Sequence, residues 1–218
     1  MKFALFFLCI IMVIVYGIIQ LTSPFKFFLI WPLINMFFMM YAYIRNKPQL
    51  VMGKKLDGSF NLNLLKINLP WLLFTWIIFQ IQIRFNREEF SHNIIGTNLW
   101  ISRKPGGKDS LDKFDTLVDL TCEFPRDQFN LNYICCPNLD GHELSELPVI
   151  QDLPKDKNIL IHCANGHGRS SLYVAIVLVN WNVVATYEEA LQLILKSRAL
   201  AKPNSSQKKW LYSFDKKD

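Results

Sequence analysis

Three uncharged, strongly apolar runs occupy most of the first 90 residues and constrain the fold more than any other feature. They cover residues 3–21, 27–44 and 67–83, which are nineteen, eighteen and seventeen residues long. A helix of about 20 apolar residues spans a bilayer core of about 30 Å. Residues 1–90 are therefore predicted to form a membrane region with two or three transmembrane helices.

The first and third runs each allow two interpretations. Lys2 precedes the first run, as in a signal peptide, but the run is longer than the apolar core of such peptides and no small-residue cleavage site follows it. A retained anchor is therefore favoured. The third run contains Pro70 and several polar residues, so it either spans the bilayer or lies in the interface with Trp71 and Trp76 at headgroup depth. Spanning is favoured.

Positive charge is concentrated in this N-terminal part. Residues 1–90 hold nine Lys/Arg and three Asp/Glu, a balance of +6, whereas residues 91–218 hold fifteen of each. The excess is therefore interpreted as membrane topology, and nucleic acid is not an expected partner. Residues 45–66 carry five Lys/Arg against one Asp, which favours the cytoplasmic side. With this loop inside, three spans place the C-terminal domain outside the cytoplasm, and two spans place it inside.

The five cysteines do not form a metal-binding or disulfide pattern. Two are adjacent, their number is odd and no C-x-x-C occurs, so neither a zinc site nor a disulfide framework is predicted. Cys122 follows a predicted strand that borders the candidate site, and it has two interpretations. It is either a small buried apolar residue or the partner of Cys163 in a reversible disulfide.

Residues 91–218 have the mixed pattern of an α/β domain. Short apolar, β-branched runs predict four strands: residues 98–102, 116–121, 133–136 (ending at Pro137) and 158–162. Longer runs predict four helices: about residues 144–153, 170–181, 187–198 and 205–214. Thr186 with Glu189 fits a capping box before the third of these. The second helix is apolar nearly all round, so we expect it to be buried at the centre of an α/β sandwich.

A short motif at residues 162–170 joins the last predicted strand to this apolar helix. Its sequence is His-Cys-Ala-Asn-Gly-His-Gly-Arg-Ser, with a cysteine and an arginine six positions apart. Backbone N–H groups of a tight loop and a helix N-terminus favour a dianion such as phosphate. The same positive field favours the thiolate of a cysteine, and an arginine adds a planar fork for two phosphate oxygens. The motif predicts a phosphate-binding loop with a nucleophile at its centre.

This H-C-x5-R-S motif resembles the signature loop of the cysteine-dependent protein tyrosine phosphatase superfamily, and residues 91–218 resemble its dual-specificity branch. The resemblance implies a dual-specificity-phosphatase-like domain, a central mixed sheet flanked by helices, with no metal or cofactor. It implies that the Cys163 thiolate attacks phosphorus and that water hydrolyses the cysteinyl-phosphate. Arg169 would bind the equatorial oxygens, Ser170 would hydrogen-bond the thiolate and His162 would orient the loop. The implied substrate-binding residues are Ala164, Asn165, Gly166, His167, Gly168 and Arg169.

The resemblance also implies a carboxylic acid on a loop over the pocket. Asp140, 23 residues before the cysteine, matches this acid, with Glu143 and Asp152 as rivals and a plain Asp-Gly turn as the alternative. Glu123 resembles a buried glutamate that pairs with the signature arginine. Gln207, in a segment that resembles the one closing the pocket in these enzymes, either positions the hydrolytic water or only caps the last helix.

Position 167 bears on the substrate. Phosphoinositide phosphatases of the tensin type resemble this loop but carry lysines, which bind extra phosphates, where this chain has Ala164 and His167. A histidine provides at most a partial charge at neutral pH, so a polyphosphorylated inositol head is not favoured. A phosphomonoester on a protein or on a simpler lipid is easier to accommodate.

The expected function is that of a membrane-anchored phosphomonoester hydrolase, of the dual-specificity or tyrosine protein phosphatase type. The expected partners are a phosphorylated protein or lipid and the bilayer. One alternative is a phospholipid phosphatase acting on phosphatidylglycerophosphate or a monophosphoinositide. Another is a catalytically weak, phosphoprotein-binding membrane module. A sulfurtransferase-like cysteine loop is less favoured because it does not need the acid at Asp140.

Overall fold

The computed structural model describes residues 2–85, 88–147, 150 and 153–215. The chain divides into two compact units. The N-terminal unit comprises residues 1–86 with 122–125, and the α/β unit comprises residues 87–121 with 126–218. The rival acid Asp152 lies outside the described residues.

The N-terminal unit is built from helices. These are α1 (Lys2–Gln20), a 3₁₀ helix (Pro24–Leu29) continuing into α2 (Ile30–Ile44), the short α3 (Gln49–Met52) and α4 (Leu62–Phe85). Three stretches, Phe3–Gln20, Pro24–Ile44 and Leu62–Phe85, are long and apolar enough to cross a membrane. The third apolar run thus lies within one 24-residue helix that continues through Pro70. A proline inside the helix is compatible with the predicted span, because membrane helices tolerate proline where neighbouring groups satisfy the backbone.

Two buried asparagines connect the helices of this unit. Asn35 on α2 donates a hydrogen bond from Nδ2 to Oδ1 of Asn68 on α4, at 2.7 Å. The Nδ2 of Asn68 donates in turn to the carbonyl oxygens of Leu50 (3.0 Å) and Val51 on α3. Both asparagines are fully buried, and hydrogen bonds of this kind hold helices together where the surroundings are apolar.

The α/β unit contains a five-stranded sheet. Its strands are β1 (Ser91–Asn93), β2 (Leu99–Ser102), β3 (Thr116–Thr121), β4 (Asn132–Asn138) and β5 (Ile159–His162), in the order β1-β2-β5-β3-β4. β1 is antiparallel to β2, and all other neighbours are parallel. Every residue of β3 and β5 is buried, as expected for central strands covered on both faces. The predicted mixed α/β architecture is confirmed.

Three helices complete this unit: α5 (Arg169–Asn180), α6 (Tyr187–Ser197) and α7 (Ser205–Leu211). Ten residues of α5, from Arg169 to Leu178, are buried, so α5 is the predicted central helix. The capping box of Thr186 and Glu189 before α6 is also present.

Two local predictions were wrong. β4 does not stop at Pro137 but runs to Asn138, because β4 pairs only with β3 and a register shift between Asp119 and Thr121 accommodates the proline. Residues 144–147 are not helical, because the Asn138 side chain accepts hydrogen bonds from the amides of Ser145 and Glu146 and holds a loop. Residues 148, 149, 151 and 152 of that predicted helix lie outside the described residues. The strand β1 was not predicted.

A prediction of acid sensitivity follows from His92 in β1, whose Nδ1 accepts a hydrogen bond from Nη1 of Arg198 at 3.2 Å. Burial, and secondly the Arg198 charge, lower the pKa of His92. Neutral His92 therefore contributes to the free energy of unfolding above its unfolded pKa of about 6.5. This contribution is lost as pH falls through the folded pKa. His92→Asn, whose amide oxygen still accepts a hydrogen bond, should reduce the fall in Tm between about pH 7.5 and pH 5.5. An identical fall in both proteins would contradict this assignment.

Candidate active site

Cys163 lies where strand β5 ends and the signature loop, residues 163–168, begins. The side chain is 2% exposed, and its Sγ accepts a hydrogen bond from the backbone N–H of Gly166 at 3.2 Å. Helix α5 begins at Arg169, so its N-terminal backbone amides lie at the other end of the loop. This arrangement places the predicted nucleophile beside a backbone amide and one loop away from a helix N-terminus, both of which stabilise negative charge.

The shape of the loop depends on contacts with the segment that follows β2. Gly166 has φ of +73°, and a Cβ atom there would collide with the Ser102 carbonyl and lie 2.8 Å from the amide nitrogen of Arg103. The amide of Lys104 donates a hydrogen bond to the carbonyl of Ala164 at 2.9 Å. Only glycine fits at position 166, because both the backbone conformation and the available space exclude a side chain.

Arg169 brings a fully buried guanidinium to the site. Its Nη1 donates to the carbonyl of Asn138 at 2.8 Å and lies 3.5 Å from that of Leu120. Its Nε lies 3.3 Å from Oδ1 of Asp140, whose side chain is 63% exposed. The predicted arginine and acid are therefore adjacent, and the ends of β3 and β4 fix the guanidinium plane.

Two further predicted residues lie buried beside the cysteine. The Oγ of Ser170 is buried and has no hydrogen-bond partner among the described residues. The Nδ1 of His162 lies 3.3 Å from the carbonyl oxygen of Cys163, and its Nε2 lies 3.7 Å from Oδ1 of Asp119. Asp119, which the sequence did not indicate, also accepts a hydrogen bond from the Tyr133 hydroxyl at 2.8 Å. His162 is thus held between the loop and β3.

A cavity of about 190 Å³ opens above the cysteine. It is lined by Asp140, Gly141, Cys163, Asn165, His167, Gly168, Lys202, Asn204 and Gln207. Six of these nine residues were predicted from the motif and the resemblance. No role was predicted for Lys202, which is exposed and shortly precedes Gln207 in the chain. Its side chain adds a cation to the wall of the cavity.

Gln207 caps α7 and also lies at the cavity. Its Oε1 accepts from the amide of Asn204 at 2.9 Å, and its Nε2 donates to the carbonyl of His142 at 2.8 Å. A Cβ atom on Gly168 would lie 3.2 Å from Oε1 of Gln207. Gln207 therefore caps α7, and the same amide group lies beside the Asp140 loop and Gly168. Its role in positioning the hydrolytic water stays a prediction.

The remaining predicted residues have the following surroundings. Glu123 is buried and accepts a hydrogen bond from the amide of Cys122 at 3.0 Å, and its pairing with the arginine stays a prediction. Cys122 and Cys163 are both free thiols, and their reversible disulfide also stays a prediction. Glu143 is exposed on the surface, whereas Asp140 lines the cavity.

Replacing Gly166 by alanine should disrupt the loop more than any other single-methyl change at the site. The added Cβ is incompatible with the positive φ and with the Ser102 backbone, a strain of about 1–3 kcal/mol. We expect a large loss of kcat/KM on a small aryl phosphate and of inorganic phosphate binding. Gly107→Ala is the matched control, since a Cβ there meets nothing within 4 Å. Equal activity of the two variants would contradict the proposed loop geometry.

Comparisons with known proteins complete the description. No protein-family model matches the chain, and no curated protein matches it. The chain is similar to the solved structure of Tk-PTP in the active form, with 21% identity, a TM-score of 0.48 and coverage of 59% of this chain and 97% of that chain. It is similar to human DUSP28, with 14% identity, a TM-score of 0.48 and coverage of 59% and 95%. It is also similar to PTPMT1 in complex with PI(5)P, with 19% identity, a TM-score of 0.46 and coverage of 59% and 96%. A further similar structure is that of a mouse putative dual specificity phosphatase, with 16% identity, a TM-score of 0.47 and coverage of 61% and 92%.

Proposed function

We propose that this protein is a membrane-anchored phosphomonoester hydrolase that works through a cysteinyl-phosphate intermediate. One observation carries the proposal: the Cys163 thiol, the Asp140 carboxyl group and the Gly168 backbone line the same small cavity, and the buried Arg169 guanidinium lies 3.3 Å from Asp140. A nucleophile and an acid at one cavity, with a cation beside the acid, are groups that phosphoryl transfer uses.

In the first step, the Cys163 thiolate attacks phosphorus, and the bond from phosphorus to the leaving oxygen breaks. The loop amides and the Arg169 guanidinium stabilise the equatorial oxygens, which carry the negative charge in the transition state. Asp140 donates a proton to the leaving oxygen, so a neutral alcohol or phenol departs. Its exposed position at the cavity mouth leaves the carboxyl group accessible to that oxygen.

In the second step, water attacks the cysteinyl-phosphate and the S–P bond breaks. The Asp140 carboxylate accepts a proton from this water, and the products are inorganic phosphate and the thiolate. The Ser170 hydroxyl, for which the described part of the chain offers no other partner, supplies a hydrogen bond to the sulfur as negative charge returns to it. The Gln207 amide lies at the cavity wall, where it orients the attacking water.

Two substrate classes fit this chemistry. We assign the chain foremost to dual-specificity or tyrosine protein phosphatases, because its signature motif resembles theirs and the cavity beside Cys163 is small, about 190 Å³. A phospholipid phosphatase acting on phosphatidylglycerophosphate or a monophosphoinositide is the second candidate. It is favoured by the three helices that are long and apolar enough to cross a membrane, since they retain the protein in the plane of a lipid substrate.

The intermediate is tested with the full chain in detergent micelles and in lipid bilayers. Cys163→Ser should abolish phosphate release while phosphate binding is retained, because the cradle remains but the nucleophile is lost. Turnover is measured on phosphotyrosine and phosphothreonine peptides, phosphatidylglycerophosphate and monophosphoinositides. Preference for the peptides selects the protein phosphatase, and preference for a lipid selects the second candidate. Turnover that survives in Cys163→Ser would contradict the mechanism.

The role of Asp140 is tested by the leaving group. Asp140→Asn should lower kcat by roughly 10²–10⁴ for an alkyl phosphate, whose leaving group needs a proton, and much less for an activated aryl phosphate. Glu143→Gln, which neutralises an exposed carboxylate three positions further along the chain, is the matched control and should leave both rates near those of the unaltered protein. An equal loss on both substrates would remove Asp140 from the acid role.

A further inference from the structure

Glu88, His167 and Arg198 form a network of charged and titratable side chains beside the cavity, to which His167 contributes as a lining residue. The Oε2 of Glu88 lies 2.9 Å from Nε2 of His167, which lines the cavity, and 2.9 Å from Nη2 of Arg198. One carboxylate oxygen therefore contacts two basic side chains. His167 belongs to the signature loop, and Arg198 directly follows α6. Neither the motif nor the proposed mechanism uses Glu88 or Arg198.

Arg198 is a buried cation directly behind the signature loop. It is 1% exposed, and its Nη2 also donates to the carbonyl of Asn165 at 3.3 Å. Burial lowers the pKa of Arg198, and the Glu88 carboxylate opposes this effect. A guanidinium stays charged in proteins. Without the Glu88 carboxylate, Arg198 would therefore leave a net positive charge behind the loop.

The charges of this network balance without any substrate. Glu88 contributes one negative charge, Arg198 one positive charge and His167 at most a partial one at neutral pH. With neutral His167 the sum is zero. A second phosphate group that approached this network would therefore meet a carboxylate, 16% exposed, and no surplus positive charge among Glu88, His167 and Arg198. Lys202, which also lines the cavity, is not a member of this network.

We propose that Glu88 is a specificity-determining residue that restricts the cavity to substrates with one phosphate group. It does so by neutralising Arg198 and by occupying Nε2 of His167, so that a phosphate vicinal to the scissile one is repelled at this wall. The proposal rests on the proposed phosphatase function and adds to it a physical means of rejecting a class of substrate.

The test measures equilibrium binding to the full chain in detergent, in the Cys163→Ser background so that no probe is turned over. The probes are inorganic phosphate, an inositol monophosphate and an inositol bisphosphate with vicinal phosphates, and the quantity compared is the ratio of the last two dissociation constants. Glu88→Gln removes the negative charge and keeps a hydrogen-bonding side chain. The ratio should shift towards the bisphosphate by about three- to tenfold, since one nearby charge has been removed.

Two further variants make the result decisive. Glu89→Gln removes the exposed neighbouring carboxylate and should leave the ratio unchanged. His167→Arg adds a fixed positive charge to the same wall and should shift the ratio in the same direction as Glu88→Gln. If circular dichroism shows that Glu88→Gln does not fold, His167→Arg still tests whether the charge at this wall controls the ratio.

The outcomes separate the two proposals. A ratio that stays unchanged in a folded Glu88→Gln protein overturns the role of Glu88, as does an equal shift in Glu89→Gln. If Glu88→Gln does not fold, an unchanged ratio in His167→Arg overturns it. If none of the three probes, including inorganic phosphate, binds to Cys163→Ser, the proposed function itself fails.

Discussion

The buried guanidinium of Arg169 is the group on which the α/β unit and its site depend. Burying a positive charge is costly unless dipoles or counter-charges surround it. Here the carbonyls of Leu120 and Asn138, at the ends of β3 and β4, face one nitrogen, and Asp140 approaches another. Asp140 is largely exposed to water, which screens its charge, so the ion pair between the two side chains is weakened by solvent.

Asn138 extends this constraint to the loop that carries Asp140, the proposed acid. Its carbonyl accepts from Arg169, while its side-chain oxygen accepts from the amides of Ser145 and Glu146 at 2.7 and 3.1 Å. One fully buried residue therefore orients the arginine and fixes both ends of the segment containing Asp140. Geometry of this kind would hold the proposed acid in place without help from substrate.

The predictable parts of the molecule are those with a local signal. The apolar runs of β3, β5 and α5, the Thr186 capping box and the motif at residues 162–170 specify their structures through neighbouring residues. The failures have distant causes. The predicted helix after Asn138 is replaced by a loop held through a tertiary hydrogen bond, and β4 passes Pro137 because its partner strand shifts register. The contacts of Glu88 join residues 79 and 110 positions apart, and no local pattern in a single sequence encodes such pairs.

The N-terminal unit carries large apolar side chains on its exterior as well as in its interior. Its exterior carries large apolar side chains, with Val13, Ile19 and Phe28 each at least 70% exposed, while its interior holds the hydrogen-bonded pair of Asn35 and Asn68. In water this arrangement would expose apolar surface and bury polar groups, which is unfavourable on both counts. In hydrocarbon, exposed apolar side chains cost nothing and polar groups must find partners within the protein. The packing of these helices therefore supports a membrane location independently of their length.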